Sequence, residues 1–167
     1  MLHRLPTALA LLGLCTAAAC AQQHAYIQGT KIPDNALNKS LLGTIEDYRH
    51  AVERGDAKGL MLMASPKYSE DSGTPTVVDD YGFDGLQGVL ATRFQQAHDI
   101  RYSMKYVAVS PSCTELEAGC LAKVDVLIDA SFTITDARGQ ARRLDKRDQN
   151  QLVLEYSGTA WQFLSGM

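Results

Sequence analysis

The fold is decided by residues 124–132, which read Val-Asp-Val-Leu-Ile-Asp-Ala-Ser-Phe. Every second residue in this stretch is apolar, and the residues between them include two aspartates and a serine. A period of two is typical of a β-strand that buries one face and turns the other towards water. Residues 102–108 show the same alternation, with Tyr102, Met104 and Tyr106 on one face. The C-terminal part of the chain is therefore predicted to form an antiparallel sheet.

Before Asp99 the apolar residues recur at helical spacing instead. Leu41, Ile45 and Tyr48 are four and three residues apart, so they share one face of a helix. Gly55 ends this helix, and a stretch rich in Gly, Pro, Ser and Asp predicts a loop further on. The expected helices cover residues 36–54, 57–65 and a segment that begins at 83, and the expected loop covers 67–82.

The remaining segments complete an α+β domain. A turn at 136–139 separates the second strand from a third over 141–156, and a turn at 157–159 precedes a last strand over 160–164. Three helices are thus followed by a four-stranded meander. This order predicts three N-terminal helices packed on one face of a curved four-stranded antiparallel sheet.

Residues 1–19 have the layout of a secretory signal peptide, with a short basic start, an apolar middle and small residues at the end. The small residues before Cys20 resemble a bacterial lipobox, in which this cysteine is lipidated. The alternatives are an ordinary A-x-A cleavage that releases a soluble protein from Gln22, and an uncleaved anchor. Residues 20–33 are then a tether, and 34–167 form the folded domain. We expect a protein of the bacterial cell envelope, either anchored in the outer membrane through lipid on Cys20 or soluble after export.

Cys113 and Cys120 are an even pair of cysteines between two strand-like segments. In an oxidising compartment such a pair predicts a disulfide across the mouth of a hairpin, and two free thiols are the alternative. Each of the four histidines lies outside zinc-ligand spacing from this pair, so we expect no metal there.

Several segments occur in a family-specific order. They are the first helix followed by 53–56, the exit from the second helix at 65–68, the entry to the third at 81–85, and the ending 152–156, a turn and 161–166. Together they resemble the NTF2-like superfamily, also called SnoaL-like or the cystatin-like α+β cone, over residues 34–167. The resemblance implies an apolar cavity between the helices and the sheet. It implies no single activity, because isomerases, dehydratases, hydrolases, carriers and interaction modules share this fold.

Composition and the absence of known motifs argue against several classes of function. The 167 residues include 16 Lys and Arg against 19 Asp and Glu, a net charge of −3, which disfavours nucleic acid as a partner. The sequence contains no GxGxxG, P-loop, GxSxG, HExxH or EF-hand motif. We therefore expect no cofactor and no metal.

Asp148 and Asn150 are the candidate catalytic residues. If Leu152 and Leu154 face the core, the period of two places Asp148 and Asn150 on the same side of the strand. A carboxylate in an apolar cavity has a raised pKa, which suits proton transfer. The alternative is that the strand extends past the core and leaves both residues in water at its rim.

Aromatic residues are the candidate ligand-binding set. A tyrosine hydroxyl inside a cavity can donate to a substrate oxygen, or the ring can simply pack with its hydroxyl satisfied. The candidates are Tyr48, Tyr68, Tyr102, Tyr106 and Trp161.

Two charged segments complete the list of candidate sites. The acidic segment 68–84 could be a lid, a partner-binding edge, a cation site or a solvated loop. A basic cluster around the third strand could contact anionic lipid headgroups or form a solvated hairpin. Its members are Arg138, Arg142, Arg143, Lys146 and Arg147.

Three functions are consistent with these features. The first is a non-enzymatic lipoprotein domain that binds a small apolar ligand or a protein partner. The second is an exported SnoaL-like isomerase, dehydratase or hydrolase that uses Asp148 with a tyrosine donor. The third is a homodimeric subunit of an envelope assembly, paired through the exposed sheet face that carries Leu127 and Val153.

Overall fold

The computed structural model describes residues 25–71, 79–136 and 138–167. In this part of the chain, three helices precede a four-stranded antiparallel sheet whose strands lie side by side in chain order, which confirms the α+β prediction. The helices are α1 (Ala36–Glu53), α2 (Ala57–Met63) and α3 (Phe83–Gln96). The strands are β1 (Ser69–Glu70), β2 (Tyr81–Gly82), β3 (Ala97–Pro111), β4 (Leu121–Thr135), β5 (Ala141–Tyr156) and β6 (Trp161–Ser165). Among these described helices, none is long and apolar enough to cross a membrane.

Side-chain caps fix the start of the first two helices. The Asn35 side chain accepts a hydrogen bond of 2.8 Å from the backbone N–H of Asn38, and Asp56 accepts one of 2.8 Å from Gly59. Gly55 lies between these helices with φ +63, a conformation that glycine adopts without strain. Its position lets α1 end and α2 begin within three residues.

The second helix ends two residues earlier than the sequence predicts. Ala64 is extended, with φ −78 and ψ 140, and the N–H of Ser65 donates to the carbonyl of Phe163 on β6 at 2.8 Å. Pro66 disfavours helical geometry at Ser65, so the chain leaves α2 and pairs with the sheet instead. The predicted loop at 67–82 also differs, because β1 and β2 pair within it, Ser69 with Gly82 and Glu70 with Tyr81.

The core lies between the helices and one face of the sheet. On β4, Val124, Val126 and Ile128 are buried, and on β5, Leu152 and Leu154 are fully buried. Since burying a side chain of this size stabilises the fold by about 1.5–3 kcal/mol, this apolar face anchors the domain. The helices contribute Leu37, Leu41, Leu42, Ile45, Tyr48, Ala51, Leu60, Leu86 and Leu90.

The predicted tether is in part a folded element. Its residues 25–33 form a closed turn in which Ile27 N–H donates to the carbonyl of Ile32 at 2.9 Å and Tyr26 bridges to Pro33. Ile32 is buried in the core, which the sparse apolar content of this segment did not indicate. Residues 1–24, including Cys20 and the predicted signal peptide, lie outside the described residues.

A disulfide between Cys113 and Cys120 joins the ends of β3 and β4, as predicted from the sequence. The loop that it closes also contacts β5, because Gly119 N–H donates to the carbonyl of Tyr156 at 2.8 Å and Tyr156 N–H donates to Cys120 at 2.8 Å. The cross-link therefore holds the end of the sheet where three strands meet.

Candidate functional site

A polar network joins the outer side of α1 to the edge strand β3. The Tyr106 hydroxyl donates to Glu46 Oε1 at 2.5 Å, and Arg49 Nε donates to the other oxygen of Glu46 at 2.7 Å. Arg49 Nη1 also donates to Glu53 Oε2 at 2.9 Å. Three charged residues of one helix and a tyrosine of the sheet thus form one connected group.

This network shifts the protonation of its members. Burial raises the pKa of Glu46, but the hydrogen bonds from Tyr106 and Arg49 outweigh it and hold this pKa below its ordinary value. Burial, followed by the hydrogen bond to Glu46, raises the pKa of Tyr106 well above its usual range. Glu46 is therefore ionised and Tyr106 neutral over the physiological range.

An open cleft lies beside this network and is called the α1–β3 cleft here. It has a volume of about 500 Å³ and lies between the turn at 27–30, α1 and β3. Small-molecule sites usually have about 300–1,000 Å³ and an apolar lining with a few polar groups. The apolar lining residues are Ile27, Leu42, Met104 and the ring of Tyr106, and the charged ones are Lys39, Glu46 and Lys105.

Gly43 keeps one wall of this cleft open. It lies on α1, it lines the cleft, and a Cβ placed on it would meet no atom within 4 Å. A glycine inside a helix costs about 0.5–1 kcal/mol relative to alanine. Because the space in front of Gly43 is open, a larger side chain at this position would extend into the cleft without a clash at its Cβ.

A second cleft, the β3–β5 cleft, lies beside Tyr102 and has a volume of about 530 Å³. Its lining is mostly charged or polar: Glu53, Arg101, Ser103, Asp129, Ser131, Asp145, Lys146 and Arg147, with Tyr102 and Ala130. Positive and negative side chains are interleaved in it, and Arg147 is paired with Asp129 at 2.7 Å. This composition suits a polar occupant better than the apolar ligand that the sequence predicts.

Tyr48 and Tyr102 pack against each other in the core. Their rings meet edge-on with centroids 6.3 Å apart, and Tyr48 also packs on Phe163 at 4.9 Å. Burial raises the pKa of both hydroxyls. Tyr48 is buried between α1 and the sheet, where the resemblance implies a cavity, and it lines neither of the two clefts.

Tyr68 and Trp161 also lie in the core, away from both clefts. The Tyr68 hydroxyl donates to Glu70 Oε2 at 3.0 Å and accepts from the N–H of Met167 at 3.1 Å. Trp161 packs on Tyr156 with ring centroids 5.4 Å apart, and its Nε1 has no hydrogen-bond partner among the described residues. Of the five predicted aromatic residues, Tyr102 lines the β3–β5 cleft and Tyr106 lines the α1–β3 cleft, so neither cleft brings the five together. Their role in ligand binding stays a prediction.

Asn150 lies at the edge of the core, whereas Asp148 lies outside it in contact with water. Asn150 is half-buried, and its Nδ2 donates to the carbonyl of Gly166 at 2.8 Å. Asp148 is exposed, and its carboxylate accepts a hydrogen bond of 2.8 Å from the N–H of Gln149. Burial on the core side of β5 ends between Asn150 and Asp148, so Asp148 lies at the exposed rim although it is on the core side. A catalytic role for either residue stays a prediction.

The acidic segment shows no cluster of metal ligands in its described part. Across residues 25–71, 79–136 and 138–167, no group of three or more His, Cys, Asp or Glu side chains could hold a metal ion. Residues 72–78 of this segment lie outside the description. The function of this segment as a lid, edge or loop therefore stays a prediction.

The sequence alone does not indicate that Glu46, Arg49 and Glu53 belong to a site. They occupy the polar side of α1, where charged residues usually face water. Their spacing of three and four residues is a signal for ion pairs along a helix, but nothing local indicates that β3 lies against them.

The arrangement of helices and strands agrees with solved structures of low sequence identity. A ketosteroid isomerase-like protein from Erwinia carotovora atroseptica matches with a TM-score of 0.56 and 21% identity, over 78% of this chain and 92% of that one. A proposed dehydratase of the NTF2-like family from Streptomyces avermitilis matches with a TM-score of 0.58 and 15% identity, over 77% and 92%. This chain has the NTF2-like fold.

A third match supports the same conclusion. A proposed scytalone dehydratase from Novosphingobium aromaticivorans has a TM-score of 0.59 and 12% identity, over 78% of this chain and 80% of that one. No protein-family model matches the sequence, and no curated protein matches it. At these identities the comparisons establish the NTF2-like fold, and the activity must be argued from the site.

Proposed function

We propose that this chain is an exported NTF2-like domain that binds a small apolar ligand in the α1–β3 cleft. The observation that carries the proposal is the lining of that cleft, where Ile27, Leu42, Met104 and the Tyr106 ring border a volume of about 500 Å³. Apolar walls supply most of the binding free energy of a small ligand, and a few polar groups orient it. Lys105, which is exposed at the same cleft, is suited to receive an acidic group of the ligand.

Export and anchoring belong to the same proposal. The Cys113–Cys120 disulfide suits an oxidising compartment, in agreement with the signal-like residues 1–19. Lipid on Cys20 would then hold the domain at the bacterial envelope, most simply at the outer membrane. Cys20→Ser tests the anchor, because fractionated cells should then release the protein; a variant that stays membrane-bound with normal processing would contradict lipidation.

The binding proposal is tested by filling the cleft from Gly43. Gly43→Leu adds a side chain where there is open space, and leucine favours a helix more than glycine does. Native mass spectrometry of the exported wild-type protein should show a retained small molecule, and Gly43→Leu should lose it while the protein stays folded. Gly88→Leu is the matched control, because Gly88 is an equally open helical glycine that lies outside the cleft lining. Equal retention in both variants would overturn the site.

Catalysis at Asp148 is the second candidate function. Asp148 and Tyr102 lie on the same face of the sheet. Burial is the largest cause that raises the pKa of Tyr102, and the negative charge of Asp148 raises it further. This pair would suit an isomerase, dehydratase or hydrolase that needs a base and a neutral hydroxyl donor. Asp148→Asn should then abolish turnover and leave the fold intact, and unchanged turnover would exclude this assignment.

Pairing through the other sheet face is a third candidate. Leu127 and Val153 are half-buried there, and Leu121 on the same face is 43% exposed. A homodimer would cover these side chains, which water otherwise contacts. Light scattering of the purified protein tests this assignment: a dimer that Leu127→Lys dissociates supports it, and a wild-type monomer contradicts it.

A further inference from the structure

A concentration of positive charge lies at one end of the β4–β5 hairpin. Residues 136–147 hold five of the chain's 16 basic residues and two of its 19 acidic residues. The segment is thus locally basic, although the whole chain has a net charge of −3. The basic residues, called the hairpin-end cluster here, are Arg138, Arg142, Arg143, Lys146 and Arg147.

The core side of β5 becomes exposed towards this end of the hairpin. On the core side of β5, Leu152 and Leu154 are fully buried, but Lys146 and Asp148 are exposed. The buried part of this side is therefore the C-terminal half of β5. The basic side chains of Arg142 and Lys146, on the same side, are exposed.

The cluster occupies both faces of the hairpin and its turn. Arg142 pairs across the strands with Ile134 and Lys146 with Ala130, which places both on the core side, whereas Arg143 and Arg147 lie on the opposite side. Arg138 lies in the turn, where Asp136 accepts backbone hydrogen bonds from Arg138 and Gln140 at 2.8 and 2.9 Å. Arg138 in the turn and Arg142 and Lys146 on the core side can therefore meet one surface that lies along the core side of the hairpin end.

Two members of the hairpin-end cluster make side-chain hydrogen bonds or ion pairs within the described part of the domain, and three do not. Arg143 donates to the Ser131 side chain at 2.7 Å and to the carbonyl of Asp99 at 2.8 Å, and Arg147 pairs with Asp129 at 2.7 Å. The side chains of Arg138, Arg142 and Lys146 are exposed and make no hydrogen bond or ion pair within the described residues. These three cations are available to an external partner.

We propose that the end of the β4–β5 hairpin docks this domain on an anionic membrane surface, through the side chains of Arg138, Arg142 and Lys146. Basic residues near an anionic lipid surface each contribute to attraction, and their contributions add when they reach the surface together. The core-side Phe132, Ile134 and Leu144 are half-buried and leave no aromatic platform of the kind that single-stranded nucleic acid requires. This surface is distinct from the α1–β3 cleft and does not depend on ligand binding there.

The test compares the binding of the full chain to two kinds of vesicle, made of phosphatidylcholine alone or of phosphatidylcholine with phosphatidylglycerol. All proteins carry Cys20→Ser, so that no attached lipid contributes. The variant Arg138→Gln/Arg142→Gln/Lys146→Gln should lose about 100-fold of its preference for anionic vesicles. Raising the salt concentration should weaken the wild-type preference, because the contact is electrostatic.

The matched control is Lys31→Gln/Arg54→Gln/Lys58→Gln, which removes the same charge from exposed residues outside the hairpin. It should keep nearly all of the preference, and circular dichroism should show both triple variants folded. An equal loss in both variants would overturn the proposal in favour of a general charge effect. Equal wild-type binding to both vesicles would also overturn it, as would retention on heparin without any preference for anionic vesicles.

Discussion

Glu53 on α1 accepts a hydrogen bond from the backbone N–H of Tyr102 on β3, with Oε1 and N 3.1 Å apart. Arg49 Nη1, which is bound to the same Glu53 carboxylate, donates to the carbonyl of Tyr102 at 3.3 Å. β3 is an edge strand that pairs with β4 on one side only. The Arg49–Glu53 pair therefore supplies hydrogen-bond partners for both the N–H and the C=O of Tyr102 at the sheet edge.

Removing the Glu53 carboxylate should destabilise the domain. Glu53→Ala leaves the N–H of Tyr102 without its acceptor and Arg49 without one of its partners, so we expect the free energy of unfolding to fall by about 1–2 kcal/mol. Urea denaturation measures this change. Asp47→Ala is the control, since Asp47 is an exposed carboxylate on the same helix, and its effect should stay within about 0.5 kcal/mol. Equal losses in the two variants would contradict a specific role for Glu53.

The Glu46–Tyr106 hydrogen bond predicts a loss of stability in acid. Burial opposes ionisation of Glu46, but the hydrogen bonds from Tyr106 and Arg49 outweigh it and lower its pKa. A group with a lowered pKa in the folded state contributes stability above its unfolded pKa, about 4.3 for Glu, and this stability is lost as the pH falls through the folded pKa. The free energy of unfolding should therefore decrease as the pH falls below about 5.

Tyr106→Phe tests whether the hydrogen bond from Tyr106 to Glu46 causes this dependence of stability on pH. Without the hydroxyl, the pKa of Glu46 moves back towards its unfolded value, so the acid side of the stability profile should become flatter. Urea denaturation at a series of pH values measures both profiles. Tyr26→Phe, at a tyrosine that is 55% exposed, should leave the profile unchanged. A Tyr106→Phe profile that superimposes on the wild type in acid would refute the assignment.

The sheet was predictable from sequence because its signal is local. The apolar positions of β4 and β5 alternate without a break over the core, and the observed register pairs Val124 with Leu152 directly. β3 was harder, because it starts at Ala97, two residues before the change of period. Asp99 has φ +52 and the register shifts between His98 and Arg101, so an irregularity interrupts the alternation there.

The candidate sites were less predictable because they depend on contacts between distant segments. Alternation placed Asp148 on the core side, but it could not indicate that the burial of that side ends before Asp148. Similarly, Tyr106 is recognisable as a core-side residue, yet its partner Glu46 lies 60 positions earlier in the chain. A single sequence carries no signal for such a pairing.

The Cys113–Cys120 disulfide should contribute a modest amount to stability. The two cysteines are seven residues apart, so the bond closes a short loop, and we expect it to add at most about 3 kcal/mol to the free energy of unfolding. Urea denaturation of wild type with and without reductant measures the contribution. Cys113→Ser/Cys120→Ser should match the reduced wild type and should not respond to reductant. A reductant effect that persists in this variant would show that another group is responsible.

Gly166 should be intolerant of any side chain. It has φ +90, its N–H donates to Glu70 at 2.7 Å, and a Cβ on it would overlap the carbonyl of Gln151. Gly166→Ala should therefore lower the free energy of unfolding by about 2 kcal/mol or more, because the left-handed backbone and the contact both oppose a methyl group. Gly88→Ala is the matched control: the site is open and helical, so it should gain about 0.5–1 kcal/mol. Urea denaturation of the two variants should give changes of opposite sign, and a tolerated alanine at 166 would mean that the segment 165–167 can shift away from β5 without loss of the fold.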